Sequence, residues 1–288
     1  MIAFASNSLL CRAALKQTSI DAATFTSVRI LSGAVVLWLI LKMRGAAWKT
    51  AGTWPSAMAL FVYAAAFSFA YNTLSAGTGA LLLFGAVQAT MIFWGLRRSE
   101  RLRLRQLIGL TVALGGLVVL VFPGLSAPPL GGSILMLGAG VAWGIYSLRG
   151  KAAGDPASAT AGNFLRALPM AAILGIALLP WARFDRTGIG YAVLSGAIAS
   201  GLGYVIWYTA LPGLKAASAA SVQLSVPVLA AAGGILLLGE PLTLRFLFAS
   251  MAVLGGIALV LINPFRQDAE TNTQDRRATE PSTRRSAR

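Results

Sequence analysis

The chain is an almost unbroken succession of apolar stretches of about twenty residues, joined by connections too short to hold a domain. That pattern admits few folds. A segment of roughly twenty apolar residues matches the hydrocarbon thickness of a bilayer when helical. Inside lipid, a backbone that cannot bond to water must be a helix or part of a closed barrel. Ten stretches qualify, at about 1–15, 24–41, 54–72, 75–96, 104–122, 130–149, 158–180, 188–210, 214–238 and 244–262. The first is the weakest, and with no basic region or cleavage site before or after it, it does not read as a removable leader. Only 11% of the residues are charged, against about 25% in soluble domains. The excess of 24 basic over 9 acidic side chains therefore reads as topology control and contact with anionic lipid rather than nucleic-acid binding. Residues 266–288 are polar and basic and read as a disordered tail.

The second constraint is internal repetition. Arg12 matches Arg149, Arg29 matches Arg166 and Tyr71 matches Tyr208, each 137 positions apart. Gln88 matches Gln223 at 135, while Glu100 and Gly115-Gly116 match Glu240 and Gly255-Gly256 at 140. Five helices per repeat is an odd number, so the two halves face opposite ways across the membrane. Inverted repeats of this kind are the architecture of secondary transporters, with substrate held between the halves near the midplane. The expected fold is thus all-α and integral to the membrane: ten transmembrane helices as two inverted five-helix repeats, 1–123 and 130–263, around a central cavity, followed by the tail. With the amino terminus in the cytoplasm, 17 Lys and Arg fall inside and five outside. The positive-inside rule then places both termini in the cytoplasm.

The helix count, the tandem halves and the E…G…GG run that closes each half ("SERLRLRQLIGLTVALGG" and "GEPLTLRFLFASMAVLGG") resemble the EamA-type branch of the drug/metabolite transporter superfamily. The aromatic content of the helices resembles that of YddG-like amino-acid exporters. The resemblance covers about residues 1–263. It implies a multi-pass inner-membrane carrier working by alternating access, with helices one, three, four, six, eight and nine lining the cavity. Small multidrug relatives carry a glutamate in their first helix. This chain has none there, which speaks against proton/cation antiport of that type.

No enzymatic chemistry is legible. The chain has no His, one Cys and no acid in the middle of a helix. No cofactor or metal is expected, Cys11 reads as a small apolar packing residue, and Glu100 and Glu240 read as acids complementing the dipoles of the helices that follow them. The candidate substrate-binding residues are the polar and aromatic side chains within helices: Asn7, Tyr71, Gln88, Trp143, Tyr146, Tyr204, Trp207, Tyr208 and Gln223. Amides in hydrocarbon need partners from neighbouring helices or a ligand, and Tyr and Trp make an apolar wall that still hydrogen-bonds. Arg29 and Arg166 are the anomalous charges. Each reads as a substrate-carboxylate anchor or gate, or else as a side chain reaching the interface or pairing with Asp21 or Asp155. Pro227 falls within the ninth stretch as a possible bending point. Gly140-Val-Ala-Trp-Gly144 and the Gly109, Ala113, Gly116 face read as packing seams.

The expected function is export of small metabolites, foremost amino acids with aromatic or apolar side chains. Cationic drugs, nucleotide-sugars or sugar phosphates are alternatives on the same fold, and a non-transporting membrane sensor is a remote one. Expected partners are membrane lipid and a small-molecule substrate, with no nucleic acid, in a monomer or weak dimer.

Overall fold

The computed structural model describes residues 1–45, 51–97, 104–124, 127–150, 155–210 and 222–261. Among these residues all regular structure is helical. The order is α1 (Ile2–Gln17), α2 (Ala22–Met43), α3 (Trp54–Tyr71), α4 (Ala76–Arg97), α5 (Leu104–Val121), α6 (Leu130–Gly150), α7 (Pro156–Ala177), α8 (Arg186–Ala210), α9 (Ser225–Leu238) and α10 (Leu244–Leu261). Among the described residues eight helices, α2 to α8 and α10, are long and apolar enough to cross a membrane. The other two are shorter: α1 has 16 residues and α9 has 14. The tail, Glu100 and the segment preceding α9 lie outside the described residues.

Helix starts follow local chemistry. The side chains of Asp21, Thr53, Asp155 and Asp185 each accept a backbone N–H from the first turn of α2, α3, α7 and α8. These are the residue types that satisfy the orphan donors of a helix start, and Pro55 and Pro156 sit where a missing N–H costs nothing.

Within the bundle, α2 packs on α7 and α5 on α10, while α3 and α4 pack on α6 and α8 and α9 pack on α1. The α5–α10 seam is closely packed. A Cβ on Gly109 would come 2.5 Å from the Gly256 carbonyl, and one on Gly256 would come 2.5 Å from that of Gly109. The small-residue face of α5 is therefore a backbone-to-backbone seam, as is Gly140 of α6 against the Leu83 carbonyl of α4. Large apolar residues such as Val118, Ile173, Ile176, Leu236 and Leu237 are exposed on the outside, which suits lipid and not water.

Helix α8 departs from a regular α-helix. It is α-helical over Arg186–Leu194, π-helical over Ser195–Leu202 and α-helical again over Gly203–Ala210. The i→i+5 bonding of a π-turn widens the helix and frequently marks a functional position. Here it puts Ser195 and Ser200, five residues apart, on one buried face. Gly196 is required there, since a Cβ would fall 2.1 Å from the Arg29 carbonyl oxygen.

Candidate functional site

Midway along α3, α6 and α8 the interior is aromatic. Trp143 is its hub, with ring centroids 4.9 Å from Tyr63, 4.8 Å from Tyr204, 5.4 Å from Tyr146 and 6.0 Å from Phe4. Phe4 also meets Trp207, and Tyr146 meets Tyr208. Each such pair adds about 0.5–1.5 kcal/mol beyond its buried area.

A polar chain runs through these rings. Ser195 Oγ donates to Asn7 Oδ1 at 2.5 Å, and Asn7 Nδ2 donates to Tyr63 Oη at 3.1 Å. Arg29 Nη2 donates to the same Tyr63 oxygen at 3.1 Å and to Tyr204 Oη at 3.4 Å, while its Nε donates to Ser200 Oγ at 3.2 Å. The guanidinium lies 5.1 Å from the Tyr63 ring centroid and 4.9 Å from that of Phe67. Arg29 is 2% exposed, and its Nη1 has no hydrogen-bond partner. A charge at bilayer depth costs at least about 2.5–3.5 kcal/mol, and a buried donor left unmade about 1–3 kcal/mol. Two desolvated cation–π contacts offset part of this, at about 2 kcal/mol each.

The partners of Arg29 come from matched positions. Tyr63 and Ser200 are 137 apart in sequence, as are Phe67 and Tyr204, the same offset that relates Arg29 to Arg166. All four touch the one arginine.

The sequence candidates divide. Asn7, Arg29, Trp143, Tyr146, Tyr204, Trp207 and, at its edge, Tyr208 converge on the cluster. Tyr208 Oη and the neighbouring Ser147 Oγ are both buried without partners. Tyr71 joins only through Phe67, its ring lying over Gly79 and its hydroxyl donating to the Ala76 carbonyl at 3.3 Å. Gln88 is elsewhere: it is buried and lines a cavity of about 10 Å³ against α5 and α10, with its Nε2 unpartnered. The expectation that it faces the central site is therefore corrected, because its face of α4 packs on the Leu110–Leu117 stretch. Gln223 is buried just ahead of α9. Pro227 is not mid-helix. The helix begins at Ser225, so Pro227 stands in the first turn, where its missing N–H removes no bond within α9.

Arg166 differs from its mate. Its Nη1 donates to the Ala51 and Gly162 carbonyls at the end of the bundle, at 2.5 and 3.0 Å. Neither arginine pairs with an acid. Asp21 is occupied by the α2 start and the Arg183 N–H, and Asp155 by the α7 start. Among the described residues the one ion pair is Arg12 Nε to Glu240 Oε1 at 2.9 Å. Against the expectation that Glu240 complements the start of α10, its Oε1 pairs with Arg12 and its Oε2 accepts the Ala76 N–H at the start of α4, at 2.8 Å. Arg12 Nη1 also donates to the Tyr71 carbonyl at 2.8 Å, and a cavity of about 180 Å³ lined by Thr73, Ser75, Thr78 and Glu240 opens beside the pair.

Sequence reasoning missed Phe4, Tyr63, Ser195 and Ser200 as members of the cluster. Tyr63 and Ser200 carried a signal, as polar residues at matching repeat positions. The π-turn that aims the serines carried none beyond the small-residue run "SGAIASG".

These features define a multi-pass membrane protein with a polar and aromatic centre, and the comparisons name its class. The sequence profile of the EamA-like transporter family matches residues 130–262. An uncharacterised protein of Pseudomonas aeruginosa is 61% identical over 262 residues, 91% of each chain. The threonine/homoserine exporter RhtA of Escherichia coli is 36% identical over 130 residues, 43% of this chain and 42% of its own. One crystal structure shares the fold over 90% of this chain and 96% of its own, with TM-score 0.62 at 16% identity. The chain belongs to the EamA-like transporter family of the drug/metabolite transporter superfamily.

Proposed function

We propose that this chain exports amino acids across the inner membrane by alternating access, as two inverted five-helix halves with both termini in the cytoplasm. The observation that carries the reading is the aromatic and polar cluster at mid-depth, built from α1, α2 and α3 of the first half and α6, α7 and α8 of the second. A pocket of rings with a few fixed hydrogen-bonding groups is what a small solute with polar and apolar parts requires. Matched helices support the inverted arrangement. Ser27 meets Ala171 and Gly33 meets Phe164, so α2 and α7 run antiparallel. Gly109 meets Gly256 and Gly116 meets Val253, so α5 and α10 do the same. A two-fold axis lying in the membrane plane produces that relation between repeat mates. The kinship to a threonine/homoserine exporter supports amino acids as the substrate class.

The test is efflux of radiolabelled Thr, Met, Phe or Trp from proteoliposomes, with and without an imposed pH gradient. Efflux above that of protein-free vesicles is expected, and its response to the gradient decides proton coupling. Absence of flux with every amino acid refutes the substrate class and directs the search to nucleotide-sugars and cationic drugs.

A further inference from the structure

We infer that Arg29 is the residue that binds the substrate's carboxylate, with the substrate's side chain entering the rings of Tyr63, Phe67, Trp143 and Tyr204. The inference deepens the reading of the cluster as the transport site and rests on it.

An arginine cannot shed its charge at this depth, because its guanidinium stays protonated in any protein environment. A lysine or histidine could shed its charge in the empty site and regain it only with an anion; the arginine keeps its charge and must be compensated. Every group that touches it is neutral: the hydroxyls of Ser200, Tyr63 and Tyr204 and the faces of Tyr63 and Phe67. The four described acids within the helical region are committed elsewhere, Asp21, Asp155 and Asp185 to helix starts and Glu240 to Arg12. Buried charges are otherwise paired, and among the described residues this site lacks an anion. One arm of the guanidinium fork is already held, while Nη1 donates to nothing. A carboxylate can accept from the free Nη1 with one oxygen and complete the planar fork with the other by displacing the long 3.4 Å contact of Nη2 to Tyr204.

The surroundings read as preparation for that ligand rather than as a scaffold for the arginine. Ser195, Asn7 and Tyr63 form a hydrogen-bonded line that ends on Nη2, and Ser200 fixes Nε. The π-turn of α8 supplies both serines from one face. The repeat mate Arg166, by contrast, is satisfied by backbone carbonyls, which is how a purely structural arginine at this position looks. The charge also selects. A cationic drug is repelled. A phosphate dianion would find a single guanidinium, since among the described residues no other Lys or Arg side chain bonds to or stacks on a side chain of the cluster. One carboxylate on an apolar or aromatic body fits both the charge and the rings.

The test uses the purified full chain in lipid nanodiscs, reading thermal stability and the tryptophan fluorescence to which Trp143 contributes. The probes are phenylalanine, its amide, phenethylamine, phenylpyruvate and chloride. Phenylalanine and phenylpyruvate are expected to stabilise the protein and alter its fluorescence, and the amide and amine to need at least about ten-fold higher concentration. The Arg29→Gln variant is expected to lose that preference for the carboxylate, and Arg29→Lys to keep it at lower affinity. Should Arg29→Gln not fold, the probe series on the unaltered protein and on Arg29→Lys still decides. Equal responses to phenylalanine and its amide overturn the inference, as does a chloride response equal to that of the carboxylates, or an unchanged carboxylate preference in Arg29→Gln. Amino-acid efflux that survives Arg29→Gln with unchanged KM also overturns it while leaving the transport reading intact. Stabilisation by phenylpyruvate without efflux of any amino acid upholds the anchor and refutes that reading.

Discussion

Replacing Tyr63 by Phe removes one oxygen and little else. The ring stays, with its 4.9 Å contact to Trp143, its 5.4 Å contact to Phe67 and its place beneath the Arg29 guanidinium. Lost are the bonds from Asn7 Nδ2 and Arg29 Nη2, each 3.1 Å. A neutral interhelical bond in a membrane protein contributes about 0.6 kcal/mol on average and at most about 1.7. A bond from a charged donor contributes about 1.5–3 kcal/mol. The sum is a loss of about 2–5 kcal/mol. It should not be more, because Arg29 retains Ser200 at 3.2 Å and Tyr204 at 3.4 Å. Tyr146→Phe is the matched control. Its hydroxyl accepts one bond, from Asn163 Nδ2 at 3.5 Å, a length at which little energy remains, so the expected loss is below about 0.5 kcal/mol. Equilibrium unfolding in mixed micelles, titrated with SDS, measures both. A Tyr63→Phe cost below about 0.5 kcal/mol, or equal to that of Tyr146→Phe, refutes the view that this hydroxyl is the junction of the polar network.

The remaining predictions address the ends of the bundle and the π-turn. Glu240→Gln keeps an acceptor for the Ala76 N–H but breaks the pair with Arg12, so its cost in the same unfolding titration should be smaller than that of Glu240→Ala, which also abandons the α4 start. Gly196→Val should fail to fold or lose more than about 3 kcal/mol, because even a Cβ stands 2.1 Å from the Arg29 carbonyl; wild-type stability would refute the packing of α8 on α2. Asp155 is held below the usual carboxylate range, first by the Ser158 hydroxyl and then by backbone N–H groups, which together outweigh desolvation. A carboxyl lowered on folding stabilises above its unfolded pKa and loses that stabilisation as pH falls through the folded value. Asp155→Ala should therefore be less stable than the native chain at pH 7, and the gap should close on acidification below about pH 4; a gap that is constant with pH refutes the assignment.

The fold was legible because hydrocarbon leaves so few options. Most helix bounds read from apolar runs agree with the structure within two residues, since the loops supply Asp, Thr, Pro and Gly where helices must start and stop. The side-chain directions were less legible. Gln88 and Asn7 look alike in sequence, each an amide in an apolar helix, yet Asn7 joins the polar chain and Gln88 faces the α5–α10 seam. A membrane helix gives no amphipathic signal to say which face is inward, because lipid and protein interior are both apolar. Pro227 reads as mid-helix for a related reason: an apolar run does not show that a helix starts within it, at Ser225. The π-turn was beyond sequence reasoning, because it arises from the fit of Gly196 against α2 and not from local propensity.

Arg29 and Arg166 show how duplication and function separate. The two positions correspond in sequence, yet one is buried among rings and hydroxyls and the other is tied to the Ala51 and Gly162 carbonyls. The difference lies in what faces them. Arg29 meets Tyr63 and Phe67 from its own half and their counterparts, Ser200 and Tyr204, from the other. Two pairs of equivalent positions can surround a single side chain only where the halves adjoin. An arginine there contacts both halves at once, so a ligand bound to its free Nη1 feels any movement of α3 against α8. On the proposed transport reading, substrate binding and the relative motion of the halves would be coupled through this one guanidinium, whereas Arg166 is compensated by the Ala51 and Gly162 carbonyls at the end of the bundle.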